Sequence, residues 1–244
     1  MDKLHESVLN RASVRQFSDK EIPAELKQKL YDAIFYAPTS SNWFSSSAII
    51  VTDKELLERI GNSNRFAKAV KTAKMFVVFV ADFNRMNLAK KQFPDVEYNS
   101  HSSEGFLVAA GDCFIQATML QDMAISNGLG TCFLGLVRTM VPELIKELNI
   151  EGQAYPVIGL AIGYPDEEIH TKPKLNRIFE NRYDINLLDK EATQYSTKLE
   201  NHFMKLAPDK KAYSYYEAMI RSASNYRMNT DLIEQIWELE LKNK

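Results

Sequence analysis

Residues 104–126, EGFLVAAGDCFIQATMLQDMAIS, decide the architecture of this chain more than any other stretch. Apolar residues lie nearly all round the helix that this sequence predicts, and Asn127-Gly128 follows as a helix stop in the left-handed conformation. A helix that is apolar on every side has to be covered on every side. We therefore expect it in the middle of the protein, with a β-sheet on one side and a second copy of the chain on the other.

Four short runs on either side of this helix predict the sheet. Ser47–Val51 and Met75–Ala81 are apolar, rich in β-branched residues and too short for buried helices, so we interpret them as central strands. Thr131–Leu136 and Tyr155–Gly163 predict a second pair of strands. The sheet therefore contains at least four strands.

Helices are predicted before, between and after these strands. Ile22–Tyr36 has one apolar helical face, and Val141–Leu148 is a short amphipathic helix. Thr230 caps a last helix, whose apolar stripe consists of Ile233, Ile236, Trp237 and Leu241. Five or six helices and at least four strands, without a regular β-α alternation, predict an α+β sandwich.

Composition argues against several partners and locations. Lys+Arg 30 against Asp+Glu 32 gives a net charge of −2, so the chain lacks the broad basic surface that nucleic acids or acidic membranes attract. Asp2, Lys3 and Glu6 stand where a signal peptide needs an apolar stretch. The longest apolar run, Met75–Ala81, is far shorter than the roughly 20 residues of a spanning helix. We expect a cytoplasmic protein that binds neither nucleic acid nor membrane.

Cysteine, histidine and glycine spacings match none of the common metal or nucleotide motifs. Cys113 and Cys132 form no C-x-x-C and are expected to be reduced core residues. The histidines lie too far apart for a metal site. G-x-G-x-x-G and the P-loop sequence are also missing. A nucleotide-like cofactor would therefore have to be bound by other means.

Arg11-Ala-Ser-Val-Arg15 is a candidate anion site. Each arginine offers a two-pronged fork to a phosphate, and the serine offers a neutral hydrogen bond. The alternative is a solvated basic patch that pairs with Asp19 or Glu21, and composition alone favours that simpler interpretation.

Two further polar segments are candidates. Ala37–Asn42 is a hydroxyl-rich loop, and the following Trp43 and Phe44 suggest that it packs against other residues instead of forming a flexible turn. Its serines lack the Gly-x-Ser-x-Gly elbow of a hydrolase nucleophile. Lys172-Pro-Lys174 places two cations at alternate positions of an extended segment, with plain surface charge as the alternative.

In their order along the chain, these motifs resemble the FMN-dependent nitroreductase superfamily. The likeness is closer to its NADPH-linked branch of oxygen-insensitive nitroreductases and flavin reductases, and it extends to about Lys190. The segments that carry it are Arg11–Phe17, Ala37–Ser41, Ala81–Arg85, Gly128–Gly130, Gly163–Pro165 and Lys172–Lys174.

The resemblance implies a homodimeric three-layer α+β sandwich with a mixed central sheet and two FMN molecules at the subunit interface. It also implies an FMN-binding domain of residues 1–190 and a helical extension of residues 191–244, packed on the same domain or on the partner. The cofactor contacts that it implies are Arg11, Ala12, Ser13, Arg15, Phe133, Leu134, Gly135, Leu136, Lys172 and Lys174, with Thr39, Ser40 and Ser41 supplied across the interface.

The activity implied is ping-pong transfer from NADPH to FMN and then to a nitroaromatic, a quinone or a flavin, without a side-chain acid or base. Lys205, Lys210 and Lys211 are expected near the 2′-phosphate of NADPH, with a solvated charge run as the alternative. Ala12, Ser45 and Leu136 depart from the family pattern. Loss of substrate contacts at Ser45 and Leu136 leaves a non-catalytic FMN-binding module as the alternative function.

Overall fold

Four antiparallel strands form the sheet of the computed structural model, which describes residues 3–209, 211–225 and 230–238. The strands are β1 (Ser46–Val51), β2 (Met75–Asp82), β3 (Gly130–Leu134) and β4 (Ala154–Gly163), in the order β1-β2-β4-β3. The expected mixed sheet is therefore wrong for these strands. Among the described residues, parallel pairing is confined to the isolated bridge between Ser13 and Thr131.

The described residues contain ten α-helices, more than the five or six that the sequence predicts. They are α1 (Lys3–Asn10), α2 (Ala24–Phe35), α3 (Lys54–Asn62), α4 (Lys68–Thr72), α5 (Asn84–Gln92), α6 (Ser103–Ser126), α7 (Val141–Leu148), α8 (Ile185–Leu206), α9 (Tyr215–Asn225) and α10 (Thr230–Trp237). Of the helices that the sequence did not predict individually, α1, α3, α4 and α5 have nine residues or fewer, whereas α8 has 22. Leu241, predicted in the stripe of the last helix, lies outside the described residues.

The central strand β2 separates two hydrophobic cores because its side chains alternate between the faces of the sheet. Met75, Val77 and Phe79 pack in a cluster with α2 and α6, whereas Phe76 and Val78 belong to a second cluster with α3, α4 and α7. All five side chains are at most 1% exposed. Helices thus cover both faces of the sheet, which confirms the α+β sandwich.

Helix α6 is the long central helix that its sequence predicts, and its buried side packs on the sheet. Leu107, Phe114 and Ile115 remain 65%, 47% and 41% exposed. They are spaced as neighbours along one helical face, so α6 carries an apolar stripe that the described residues of its own chain leave exposed. No helix within the described residues combines the length and the apolar content needed to cross a bilayer.

The chain divides into two compact units, one of residues 1–169 with 229–244 and one of residues 170–228. In the second unit, the side chain of Asp184 caps α8 by accepting hydrogen bonds from the backbone N–H groups of Asn186 and Leu187. The Tyr215 N–H, at the start of α9, donates to Ser196 Oγ over 3.0 Å. The predicted domain boundary at Lys190 rests on where the family resemblance ends, and it stays a prediction.

Candidate functional site

A cleft of about 1250 Å³ opens in the first unit, and three segments and Glu167 line it. One follows α1, one contains α4 and the turn before it, and one runs through the end of β3. The lining residues are Arg15, Gln16, Glu167, Arg65, Phe66, Lys68, Ala69, Lys71, Thr72, Cys132, Phe133, Leu134, Gly135 and Leu136. The cleft thus brings Arg15 together with all four residues that the sequence predicts beside a flavin ring.

The segment before α2 is fixed so that Arg15 faces the cleft. Val14 and Phe17 are 3% and 4% exposed, and the Val14 N–H donates to the Thr131 carbonyl over 2.9 Å. A Cβ on Gly130 would lie 2.8 Å from Val14 Cγ2, and one on Gly163 would lie 2.9 Å from Phe17 Cβ. Glycine at these two positions therefore allows the segment to lie close against β3 and β4.

The backbone and the side chain of Arg15 have different partners. The Glu167 carboxylate accepts hydrogen bonds from the N–H of Arg15 and, over 3.1 Å, from the N–H of Gln16. The exposed guanidinium donates to the Ser13 carbonyl over 3.3 Å, and it forms no ion pair within the described part of the chain. It therefore retains donors for an anion that enters the cleft.

Cys132 lines the cleft as a protonated thiol. Burial raises the pKa of this thiol, which the neighbouring Glu167 raises further and Arg15 opposes. The thiolate, which is the nucleophilic form, is therefore disfavoured at neutral pH. The described structure thus gives Cys132 a packing role, as its sequence context predicts.

Arg11, Ala12 and Ser13 do not line this cleft, although they belong to the same predicted anion site as Arg15. Arg11 and Ala12 line a separate hollow of about 300 Å³, together with Glu6, Gly128 and others. The arginines at the two ends of the candidate anion site therefore face different cavities.

The strand predicted over Thr131–Leu136 ends earlier than expected. β3 stops at Leu134, and Gly135 begins a 3₁₀ turn that extends to Thr139.

The hydroxyl-rich loop after α2 is held by a buried carboxylate. Asp112, 1% exposed in the middle of α6, accepts from the Ser40 N–H over 3.0 Å and from Ser45 Oγ over 2.6 Å. Ser41, Asn42 and Phe44 adopt left-handed φ values of 48°, 57° and 49°. Such values are uncommon without glycine and persist where surrounding contacts fix them.

Arg85 holds the far end of the same loop. It donates to the Phe44 carbonyl over 3.1 Å and to Ser47 Oγ over 3.0 Å, while Ser47 Oγ donates to Asp82 over 2.6 Å. Hydrogen bonds hold the loop at both ends, as expected of an ordered segment, but Trp43 and Phe44 remain 37% and 48% exposed, so the packing expected of these two side chains is wrong. Thr39, Ser40, Ser41 and Ser45 do not line the cleft of their own chain.

The predicted lysines belong to the second unit. Lys172 and Lys174 are exposed on an extended segment, and Lys172 Nζ lies 5.5 Å from the ring centroid of Phe203. Lys205 is exposed in the last turn of α8, and Lys211 Nζ lies 3.4 Å from a Glu217 carboxylate oxygen. Lys210 lies outside the described residues. Ligand contacts of these lysines stay predictions.

Sequence reasoning missed Arg65, Phe66, Lys68 and Lys71. Their stretch, NRFAKAVKT, contains none of the motifs that carry the family resemblance. The available signal was the repetition of a cation at every third residue, which places Lys68 and Lys71 on the same side of α4.

Comparison with known proteins finds a matching family model and relatives whose names agree with that family. The Nitroreductase family model matches residues 8–164. The FMN reductase (NAD(P)H) of Bacillus subtilis (strain 168) is 30% identical over 196 residues, 80% of this chain and 79% of that protein. The NADPH-dependent oxidoreductase of Staphylococcus aureus (strain N315) is 32% identical over 201 residues, 80% of this chain and 78% of that protein.

The fold is also similar to solved structures. The structure of B. megaterium NfrA1 matches with a TM-score of 0.88 and 27% identity, over 96% of this chain and 98% of that one. The similarity extends over both units of the chain.

Proposed function

The chain belongs to the nitroreductase family, and from this premise we propose that it passes electrons from NADPH through FMN to a small acceptor at the cleft around Arg15. It is an NADPH-dependent flavin oxidoreductase, in agreement with the FMN reductase and the NADPH-dependent oxidoreductase among its relatives. The observation that carries the assignment to this cleft is the convergence of Arg15 and residues 133–136 on one cavity.

The donors and the floor of the cleft suit FMN. The Arg15 guanidinium has free donors for a phosphate that carries close to two negative charges. Phe133, Leu134 and Leu136 offer apolar surface for a flat ring, and the 3₁₀ turn that begins at Gly135 brings backbone groups to the same place. A volume of about 1250 Å³ leaves room for a second ligand beside the cofactor.

Bound FMN supplies hydride acceptance from NADPH and then two-electron delivery to a nitroaromatic, a quinone or a flavin. The chain's own residues bind and orient the cofactor and the acceptor, and they exclude water from the site. Arg15 would hold the phosphate, and the segment from Phe133 to Leu136 would lie along the flavin ring. The contributions expected of Lys172 and Lys174 stay predictions from the family resemblance. No side chain has to transfer a proton in this scheme, which is why none is assigned as a catalytic acid or base.

The site is completed by a second copy of the chain. The exposed stripe of Leu107, Phe114 and Ile115 on α6 is apolar surface suited to a subunit contact. Asp112 on the same helix fixes the loop of Thr39, Ser40 and Ser41, none of which lines the cleft of its own chain. We propose that this loop contacts the FMN held by the partner subunit.

Anaerobic mixing tests this function. The purified protein loaded with FMN is mixed with NADPH and then with a quinone, while the visible absorbance is followed. We expect NADPH to bleach the flavin bands and the quinone to restore them. Flavin that is bound but is bleached by neither NADPH nor NADH would identify a binding module without turnover, and failure to bind FMN would contradict the assignment altogether.

A further inference from the structure

Three cations of the cleft have no assigned role. Arg65 lies in the turn before α4, where the Ala67 N–H donates to the Asn64 carbonyl over 2.9 Å, and Lys68 and Lys71 follow on α4. Residues three apart lie on the same side of a helix, so Lys68 and Lys71 both reach the cleft. We use the name cation row for Arg65, Lys68 and Lys71.

The cation row takes part in no ion pair among the described residues. None of its three side chains forms an ion pair with any residue that the structure describes, whereas Lys74, three residues after Lys71, lies 3.3 Å from Asp19 and 3.4 Å from Glu21. The whole chain has a net charge of −2, so the row is a local concentration of positive charge. Unpaired cations along a cleft attract an anion into it.

The position of the row separates it from the expected phosphate contact. Thr72, at the end of α4, accepts from the Phe17 N–H over 3.2 Å, so this end of the helix adjoins the segment of Arg15. Lys68 lies one turn back from Thr72, and Arg65 lies before the helix begins. The row therefore leads away from Arg15 and offers positive charge for a second anionic group.

Phe66 indicates what kind of anion fits. Its side chain is 66% exposed at the cleft, and the Arg65 guanidinium lies 4.6 Å from its ring centroid. An exposed aromatic ring beside cations binds a ligand that has both a flat apolar body and a negative charge. Phe133 of β3 and Leu136 of the 3₁₀ turn that follows add apolar surface to the lining.

We propose that the electron acceptor of this protein is an aromatic compound with a carboxylate or sulfonate group, and that Arg65 and Lys68 bind this group. The proposal rests on the function proposed above and narrows its acceptor class. For a nitroaromatic acid, the two electrons from NADPH, with two protons, reduce the nitro group to a nitroso group and release one water. The anionic group takes no part in that step and serves recognition alone.

The test compares 4-nitrobenzoate with 4-nitrobenzamide, a neutral compound of nearly the same shape. The variant Arg65→Gln/Lys68→Gln removes two charges, Arg65→Lys keeps the charge, and Lys54→Gln removes an exposed charge that does not line the cleft. For the double variant we expect kcat/KM for 4-nitrobenzoate to fall about tenfold, a modest loss for two contacts because solvent screens exposed charges, with little change for 4-nitrobenzamide. Arg65→Lys and Lys54→Gln are expected to keep the preference for the acid.

Calorimetry on the oxidised, FMN-loaded protein gives a second readout without turnover. We expect 4-nitrobenzoate to bind the double variant about tenfold more weakly than the unmodified protein, and rising salt to reduce the difference because the cations are exposed. Equal losses for both acceptors, or unchanged binding of 4-nitrobenzoate, would overturn the proposal. A rise confined to the KM for NADPH would indicate that the cation row binds a phosphate group of NADPH, and this result would also overturn the proposal.

The two proposals fail in distinguishable ways. If NADPH does not reduce the bound flavin of the unmodified protein, the proposed function is wrong, although calorimetry still measures whether the row binds the aromatic acid. If NADPH and quinone cycle the flavin normally but 4-nitrobenzoate has no advantage that depends on the row, only the acceptor class is wrong.

Discussion

The loop anchored by Asp112 and the cation row use charged groups in opposite ways. Asp112 is buried, and each of its carboxylate oxygens accepts a hydrogen bond from the loop after α2. Arg65, Lys68 and Lys71 are exposed and have no ion-pair partner among the described residues. Charges that the chain satisfies itself hold its scaffold in place, whereas charges that it leaves unpaired in a cleft are available to ligands.

The largest effect is expected at Asp112. Asp112→Ala leaves the Ser40 N–H and the buried Ser45 hydroxyl without their acceptor, so we expect the free energy of unfolding to fall by about 2–5 kcal/mol. Urea unfolding measures this loss. Asp112→Asn retains one acceptor oxygen and should lose less, and Asp95→Ala, at an exposed position, should change little. If Asp112→Ala and Asp95→Ala were equally stable, the buried carboxylate would not contribute to the stability of the fold.

Arg15 is expected to show the reverse pattern, with a large effect on binding and a small one on folding. Arg15→Ala should weaken FMN binding by about 2–4 kcal/mol, or roughly 30-fold to 1000-fold, through loss of charge-assisted hydrogen bonds. Equilibrium dialysis measures the affinity, and Ser13→Ala should cost less. Arg11→Ala is the matched control, because Arg11 faces the other hollow. An effect of Arg11→Ala as large as that of Arg15→Ala would place the phosphate elsewhere.

A smaller effect is expected at the lysines of the second unit. Replacing Lys205, Lys210 and Lys211 together by alanine should raise the KM for NADPH about twofold to fivefold and leave the KM for NADH unchanged, since exposed single charges contribute little. Lys211 is already near Glu217, which weakens its attraction for another anion. Steady-state kinetics at low and high salt measure the change. An equal rise for both cofactors would exclude these lysines from recognition of the 2′-phosphate.

Tyr98 tests a third situation, a buried polar atom without a partner. Its hydroxyl has no hydrogen bond within the described residues, and burial raises the pKa of Tyr98 to about 12. In the unfolded chain the hydroxyl of this tyrosine ionises near pH 10, so the folded state loses stability as pH rises from about 10 towards 12. Tyr98→Phe should make this alkaline loss shallower. Unfolding curves at pH 8 and pH 11 measure the difference, and identical curves for both proteins would contradict it.

The sequence predicted elements wherever a periodic apolar pattern extended over enough residues. The continuous apolar run of β2 and the all-round apolar character of α6 predicted the centre of the sandwich, and Pro142 predicted the start of α7. Helix α4 was missed because five residues, two of them lysines, show no apolar period. Strand direction was also missed, since apolar runs read the same in parallel and antiparallel sheets.

The candidate site was predictable only where residue order carries information. Arg15 and residues 133–136 could be found through motifs, and the structure brings them to one cleft. The cation row enters the same cleft because Thr72 contacts Phe17, a tertiary contact between segments distant in sequence. The role of Asp112 had a weak signal, a single carboxylate in an otherwise apolar stretch of helix.

Helix α6 has a consequence for how the protein behaves on dilution. It carries the stripe of Leu107, Phe114 and Ile115 as well as Asp112, which fixes the loop proposed to contact the partner's flavin. Subunit association and flavin retention are then linked equilibria, and linkage is reciprocal. Whatever factor association adds to the affinity for FMN, FMN adds to the affinity between subunits, so flavin occupancy becomes a property of protein concentration as well as of the site.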